Sequence, residues 1–201
     1  IAHKIEYLVA NREVPPDRVA AITFTNKAAR EMRERVVELL GKQRSKPWIS
    51  TFHTLGLRIL RSECAVLGLR PGFSILDAGD CANVIADIMR REAPGTNIGV
   101  GEVQHQISTW KSALITPERV MLDGLTPAQK LAARCYAPYV ESLRVFNAVD
   151  FDDLILGPLA LFRSDAELLA RWRERIDYLL VDEYQDTNLS QYEMVKALAS
   201  E

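Results

Sequence analysis

Three short apolar runs interrupt a chain that is otherwise patterned in helical stripes. Residues 19–24 (Val-Ala-Ala-Ile-Thr-Phe), 48–51 (Trp-Ile-Ser-Thr) and 178–181 (Tyr-Leu-Leu-Val) are too short for helices and read as strands, the last as a buried parallel strand. Thr25-Asn26 after the first run is a good helix start by N-cap chemistry. Ala29, Met32, Val36 and Leu39 then share one face, and Gly41 closes the period as a C′ residue. A strand followed by an amphipathic helix is the repeating unit of a parallel α/β sheet. Ahead of it, Ile1, Ile5 and Leu8 keep a helical period with neither a cap nor an initiator Met, which reads as a helix without its beginning in a trimmed chain. Residues 11–17, with Pro15 and Pro16, form a loop.

From 54 to 149 strand signals disappear. The stripes are Leu57, Leu60, Cys64 and Leu67, stopped by Gly68; Ala82, Ile85 and Met89; Val103, Ile107, Trp110 and Leu114; and Leu131, Cys135, Tyr139, Leu143 and Phe146. Gly- and Pro-rich loops separate them. Pro127 suits a helix N1 position, whereas Pro138 should kink or break the last helix. Trp110 sits in a clean stripe and reads as core. Past this segment, Asp150-Phe151-Asp152-Asp153 tempts a metal assignment; that these acids instead cap the helix beginning there is what the family resemblance given below implies. Ser164-Asp165-Ala166-Glu167 fits a capping box for a helix with Leu168, Trp172 and Ile176 inward. Thr187 or Asn188 caps a last helix with Leu189, Tyr192, Val195 and Leu198 on one face. The expected organisation is α/β flanks at 1–53 and 150–201 around an all-helical insertion at 54–149.

Composition narrows the class without naming a function. A 48% apolar and 26% charged chain is an ordinary soluble protein, and with neither a membrane-length apolar run nor a signal peptide it reads as cytoplasmic by default. The net charge of −2 gives no sign of a nucleic-acid partner, but its distribution does. Residues 1–63 carry twelve Lys and Arg against seven Asp and Glu. That basic first third is consistent with phosphate contact, and equally with a solvated helix face. Cys64, Cys81 and Cys135 are widely spaced, without CxxC pairing or nearby histidines, and read as small buried residues.

Candidate chemistry gathers at the strand ends. Asp182 and Glu183 leave the third run at its C-terminal end, where open α/β sheets bind ligands, and suggest a magnesium site for a nucleotide; the bland reading is a strand ending in solvated acids. Thr23, Phe24, Thr25 and Asn26 combine hydroxyls and a helix N-terminus, which bind phosphate, with a ring on which a base can stack; the alternative is a capped helix with a core Phe. Ser50, Thr51, Phe52 and His53 stand at the end of the second run; His53 reads either as a satisfied structural histidine or, from its place after a strand end, as a phosphate or base contact, and not as a metal ligand, since no second ligand lies near it.

The string Asp182-Glu183-Tyr184-Gln185-Asp186-Thr187 resembles motif II (the Walker B or DExx box) of superfamily 1 DNA helicases of the UvrD, PcrA and Rep type. Residues 23–29 resemble motif Ia of that family and residues 50–53 its next DNA-contacting motif. The resemblance runs through nearly the whole chain and is nearest to the Rep type, although between about 70 and 130 it rests on helical character alone. It implies a RecA-like (P-loop NTPase) parallel sheet as subdomain 1A and a helical insertion as subdomain 1B. It also implies ATP and Mg²⁺ as cofactors, with Asp182 holding the metal and Glu183 the general base, while Gln185 links the nucleotide site to neighbouring motifs. The implied activity is ATP-driven 3′-to-5′ movement on single-stranded DNA, opening single-strand/duplex junctions in replication restart or repair, with replication or repair proteins as partners. The phosphate-loop sequence G-x-x-x-x-G-K-[ST] is absent from these 201 residues and is expected just before Ile1, so the chain alone is expected to be inactive. The motor part of a RecB- or AddA-like helicase-nuclease, and a non-catalytic single-strand-binding module, remain alternatives. A nuclease domain elsewhere in the gene would mark the first, while the intact Asp182-Glu183 pair argues against the second.

Overall fold

The computed structural model describes residues 1–41 and 45–199. The chain divides into two compact units, residues 1–59 with 158–201 and residues 60–157. Both divisions fall inside helices, which is why they lie six to eight residues from the boundaries that the loss of strand signal suggests. A helical stripe runs unbroken through such a point and carries no boundary signal.

The first unit begins with α1 (Ala2–Asn11), β1 (Val19–Thr23), α2 (Asn26–Leu40), β2 (Trp48–Thr51) and the start of α3 (Phe52–Glu63). The three strands of the sheet, counting a later one at 178–181, are all parallel, in the order β2, β1, then that last strand. Every residue of β1 is buried, as expected of a central strand covered on both faces. Ile5 and Leu8 of α1 pack with Ala29 and Val36 of α2 against Val19, Ala21 and Ile49 to form the core of one face. At β1's other end, Arg18 clasps Asp177 with two hydrogen bonds of 2.6 and 2.5 Å, and Asp177 N donates to Arg18 O at 2.8 Å. The pair is exposed and adds little stability, but its two-pronged geometry fixes the register of the strands it joins.

The second unit holds β3 (Ser74–Ile75), α4 (Ala78–Glu92), α5 (Val100–Ser112), α6 (Pro127–Val145), β4 (Ala148–Val149) and the start of α7 (Asp153–Ser164). The helices α4, α5 and α6 pack around one core containing Ile85, Ile107, Trp110, Cys135 and Tyr139. All three cysteines are free and buried. The expectation of an all-helical insertion is corrected: β3 and β4 pair in parallel, Ser74 with Ala148 and Ile75 with Val149. Two-residue strands are too short to show a period. Thr126 caps α6 in a capping box with Gln129, with Pro127 in the first turn, and the helix continues through Pro138 without a break.

Two helices, α7 and α8 (Ala166–Arg173), lead back to β5 (Tyr178–Val181) and α9 (Leu189–Ala199). Asp165 caps α8 by accepting from Leu168 N at 2.8 Å, so the cap lies one residue after the expected Ser164, which ends α7. Asn188 caps α9, accepting from Gln191 N at 2.9 Å. The buried face of α9 is Ser190, Gln191, Met194, Val195 and Leu198, while Leu189 and Tyr192 are exposed. It is therefore rotated from the stripe read in the sequence.

Gly157 in α7 tests the packing of the second unit. A Cβ built there would stand 2.6 Å from Leu60 Cδ2, and Leu60 is fully buried. Gly157→Ala should therefore destabilise by about 1–3 kcal/mol, overriding a helix-propensity gain of about 1 kcal/mol. Urea unfolding of the variant reads this directly, and a gain in stability would show that Leu60 swings aside freely.

Candidate functional site

Strand register brings the sequence-predicted residues of the first unit to one edge. In the β1–β2 ladder Ile22 faces Ser50 and Thr23 faces Thr51. In the β1–β5 ladder Ile22 faces Val181, and Asp182 N donates to Ile22 O at 2.9 Å, carrying the pairing one step beyond the strand. Thr51, Thr23 and Asp182 thus lie side by side across the C-terminal edge of the sheet. Residues separated by about 130 positions in sequence become neighbours because three parallel strands stop at the same level.

Two of these strands pass straight into a helix through a threonine. Thr25 Oγ1 accepts from Ala28 N at 3.1 Å and caps α2; Thr51 Oγ1 accepts from Thr54 N at 3.2 Å and caps α3. Both helix N-termini therefore open on the same edge, where their amides and dipoles favour an anion. Phe24 is half-buried, its ring 5.5 Å from that of Phe52 and tilted by 58°. Thr25 and Asn26 are exposed, and Ser50 and His53 half-buried. Thr23, Thr51 and Phe52 are buried at 0%, 5% and 1% exposure, and Thr23 Oγ1 donates inward to Thr25 O at 3.1 Å. Their buried side chains shape the strand ends that carry their more exposed neighbours.

Beyond β5 the backbone turns sharply. Glu183 adopts the left-handed conformation, φ 48° and ψ 43°, and leads into a single 3₁₀ turn over Tyr184–Asp186. Asp186 N donates to Glu183 O at 2.9 Å and Thr187 Oγ1 to Tyr184 O at 2.8 Å, so the turn is pinned from both ends. A non-glycine residue in this region costs on the order of 1 kcal/mol and is held only where surrounding structure fixes it. The consequence is geometric: Asp182 stays half-buried against the sheet while Glu183 stands exposed, with the Gln185 amide donating to its carboxylate. Adjacent acids thereby acquire different environments.

Asp182 also lines a cleft of about 410 Å³ together with Ile1, Ala2 and His3 at the start of α1 and Glu31 and Arg35 of α2. Across the cleft Arg35 Nη2 lies 3.4 Å from His3 Nε2. A guanidinium and a carboxylate together suit a phosphate paired with a cation. Among the described residues no group of three or more His, Cys, Asp or Glu could hold an ion by itself. A metal here would rest on one or two carboxylates and complete its shell with water and phosphate, the habit of Mg²⁺. Arg35 and His3 were not singled out in the sequence, where a helix-face arginine and a lone histidine look like any other.

No described helix is long and apolar enough to cross a membrane. Comparison with known proteins gives the family. The family model of the UvrD/REP helicase N-terminal domain matches residues 1–201. The chain is 42% identical over 199 residues to the ATP-dependent DNA helicase Rep of Escherichia coli, covering 98% of this chain and 30% of that protein. It is 40% identical over 207 residues to the ATP-dependent DNA helicase PcrA of Staphylococcus aureus, covering 100% of this chain and 28% of that protein. It thus spans less than a third of the length of the curated relatives it matches. On a match across all 201 residues, the chain belongs to the UvrD/REP helicase N-terminal domain family.

Proposed function

We propose that this chain is the 1A/1B part of an ATP-dependent DNA helicase that moves 3′ to 5′ on single-stranded DNA. In this reading the first unit is a RecA-like 1A subdomain and the second is 1B. The observation that carries it is the shared strand edge, where a carboxylate pair, two threonine-capped helix starts and a half-buried aromatic converge. Asp182 would hold Mg²⁺, which would supply charge neutralisation for the phosphates of ATP. Glu183, exposed beyond the turn, takes the proton of the attacking water. Gln185, hydrogen-bonded to Glu183, sets the direction of that carboxylate.

The nucleic-acid side of the site uses Phe24, Thr25, Asn26, Ser50 and His53. Hydroxyls and amides at the starts of α2 and α3 take phosphates, and the open face of Phe24 takes a base. Such contacts track the backbone and tolerate any sequence. Single-stranded DNA and single-strand/duplex junctions are the expected substrates, in replication restart or repair, with proteins of those processes as partners.

Anisotropy of a labelled single-stranded oligonucleotide tests this with the 201-residue chain. Binding should weaken steeply between 50 and 200 mM salt and be indifferent to base sequence, at magnitudes set by roughly one decade of affinity per two or three phosphates. Phe24→Ala should remove about 1–3 kcal/mol of that affinity. Melting temperature is measured alongside, because Phe24 also packs on Phe52. Unchanged affinity in a variant with a clearly lowered melting temperature would assign Phe24 to the core alone.

A further inference from the structure

The helical unit contains an ionic cluster that the nucleotide and DNA site does not use. Lys111, 3% exposed at the end of α5, places Nζ 2.7 Å from Asp150 Oδ2 and 2.7 Å from Asp153 Oδ1. Tyr139 of α6 donates to Asp150 Oδ2 at 2.9 Å. The two aspartates also cap one another's backbone: Asp153 N donates to Asp150 Oδ1 at 2.9 Å and Asp150 N to Asp153 Oδ2 at 3.2 Å. All four carboxylate oxygens are thus engaged, and the cluster ties α5 and α6 to the turn where the chain passes from β4 into α7.

Its charges do not balance. One ammonium serves two carboxylates, leaving an excess negative charge in a site where burial makes such a charge unfavourable. The other titratable groups facing the cluster relieve nothing: Cys81 of α4 and Tyr136 and Tyr139 of α6 are neutral, and Asp152 in the same turn is a further acid. The two aspartates are unequally placed, because the Asp150 side chain is 7% exposed and that of Asp153 is 27%. Asp153 is thus the less enclosed of the two.

We propose that Lys111, Asp150 and Asp153 form a proton-sensitive latch, in which protonation of Asp153 removes the excess charge and strengthens the folded helical unit. Burial first, and then Asp150, push the Asp153 carboxyl up to about 6 against the pull of Lys111. Lys111 holds Asp150 below the usual carboxylate range despite its burial, and Lys111 itself lies above its ordinary value. A folded-state value above the unfolded one contributes stability that is complete below the unfolded value and lost as pH rises through about 6. Asp150 has the opposite sign and withdraws its contribution only at more acid pH.

Carboxyl ¹³C NMR of the 201-residue chain from pH 4 to 8 tests the latch. The expected result is a resonance with a midpoint near 6 that is missing from the spectrum of Asp153→Asn. In urea unfolding followed through the helical unit, going from pH 7.5 to 5 should favour folding by roughly tenfold. Asp153→Asn, which imitates the protonated form, should abolish most of that change and be no less stable than the parent at pH 7.5. An Asp153 midpoint at the ordinary carboxylate value overturns the proposal, and so does pH dependence that survives in Asp153→Asn. Should that variant fold poorly, titration of Asp153 in the parent chain decides alone.

Discussion

Glu183→Gln in the complete protein should leave nucleotide and single-stranded DNA binding near normal while lowering ATP hydrolysis by about 10²- to 10⁴-fold, the usual loss for a general base. The substitution keeps side-chain length and planarity but removes the basic oxygen. Folding should be nearly indifferent, because Glu183 is exposed, the turn after it is held by backbone and Thr187 hydrogen bonds, and the amide oxygen of the new Gln can still accept from Gln185 as the carboxylate does. Asp182→Asn provides the contrast. That carboxylate lines the cleft at the start of α1, so its loss should weaken Mg²⁺-dependent nucleotide binding as well as turnover. Single-turnover hydrolysis and nucleotide titration of the two variants separate these roles. Near-normal turnover in Glu183→Gln would place the base on another residue.

The strand ends were legible because each site residue directly follows a short apolar run, and parallel strands of similar length put such residues on one edge. What sequence could not supply was the exposure of each side chain. Thr23 and Phe24 are adjacent and of equal promise in the sequence, yet one is wholly buried and the other half-open, because β1 ends between them. Likewise the run 178–181 reads as a buried strand, but Tyr178 is 41% exposed, since β5 lies at an edge of the sheet among the described residues. Hydrophobicity alone does not distinguish an edge strand from a central one. The left-handed backbone at Glu183 left no trace either, because it is imposed by the pinned turn and not by the preference of glutamate.

Lys111 was hidden for a different reason. A lysine next to a core tryptophan reads as the solvated side of a helix stripe, and its partners lie 39 and 42 positions away. The signal that could have found it is the pair Asp150 and Asp153, spaced to cap a helix and too acidic to sit beside buried β4 without a cation. The capping expectation was correct but incomplete.

The same cluster sets the second large effect. Lys111→Met preserves the length of the side chain and removes the charge, leaving two carboxylates and the Tyr139 hydroxyl around an apolar group. Breaking a buried pair from one side typically costs about 3–5 kcal/mol, because the remaining charge keeps its desolvation penalty without its partner. The upper part of that range is expected at pH 7.5, where both aspartates would face each other ionised. The loss should shrink at pH 5, since without the ammonium both acids protonate more readily and neutral acids tolerate burial. Lys111→Met combined with Asp150→Asn and Asp153→Asn should therefore recover much of the stability lost by Lys111→Met alone, though not the ties between α5 and the 150–153 turn. Urea midpoints for the single and triple variants at the two pH values measure this coupling. A loss under about 1 kcal/mol in Lys111→Met at pH 7.5 would mean that water enters and screens the aspartates, and that the cluster behaves as a surface pair in spite of its burial.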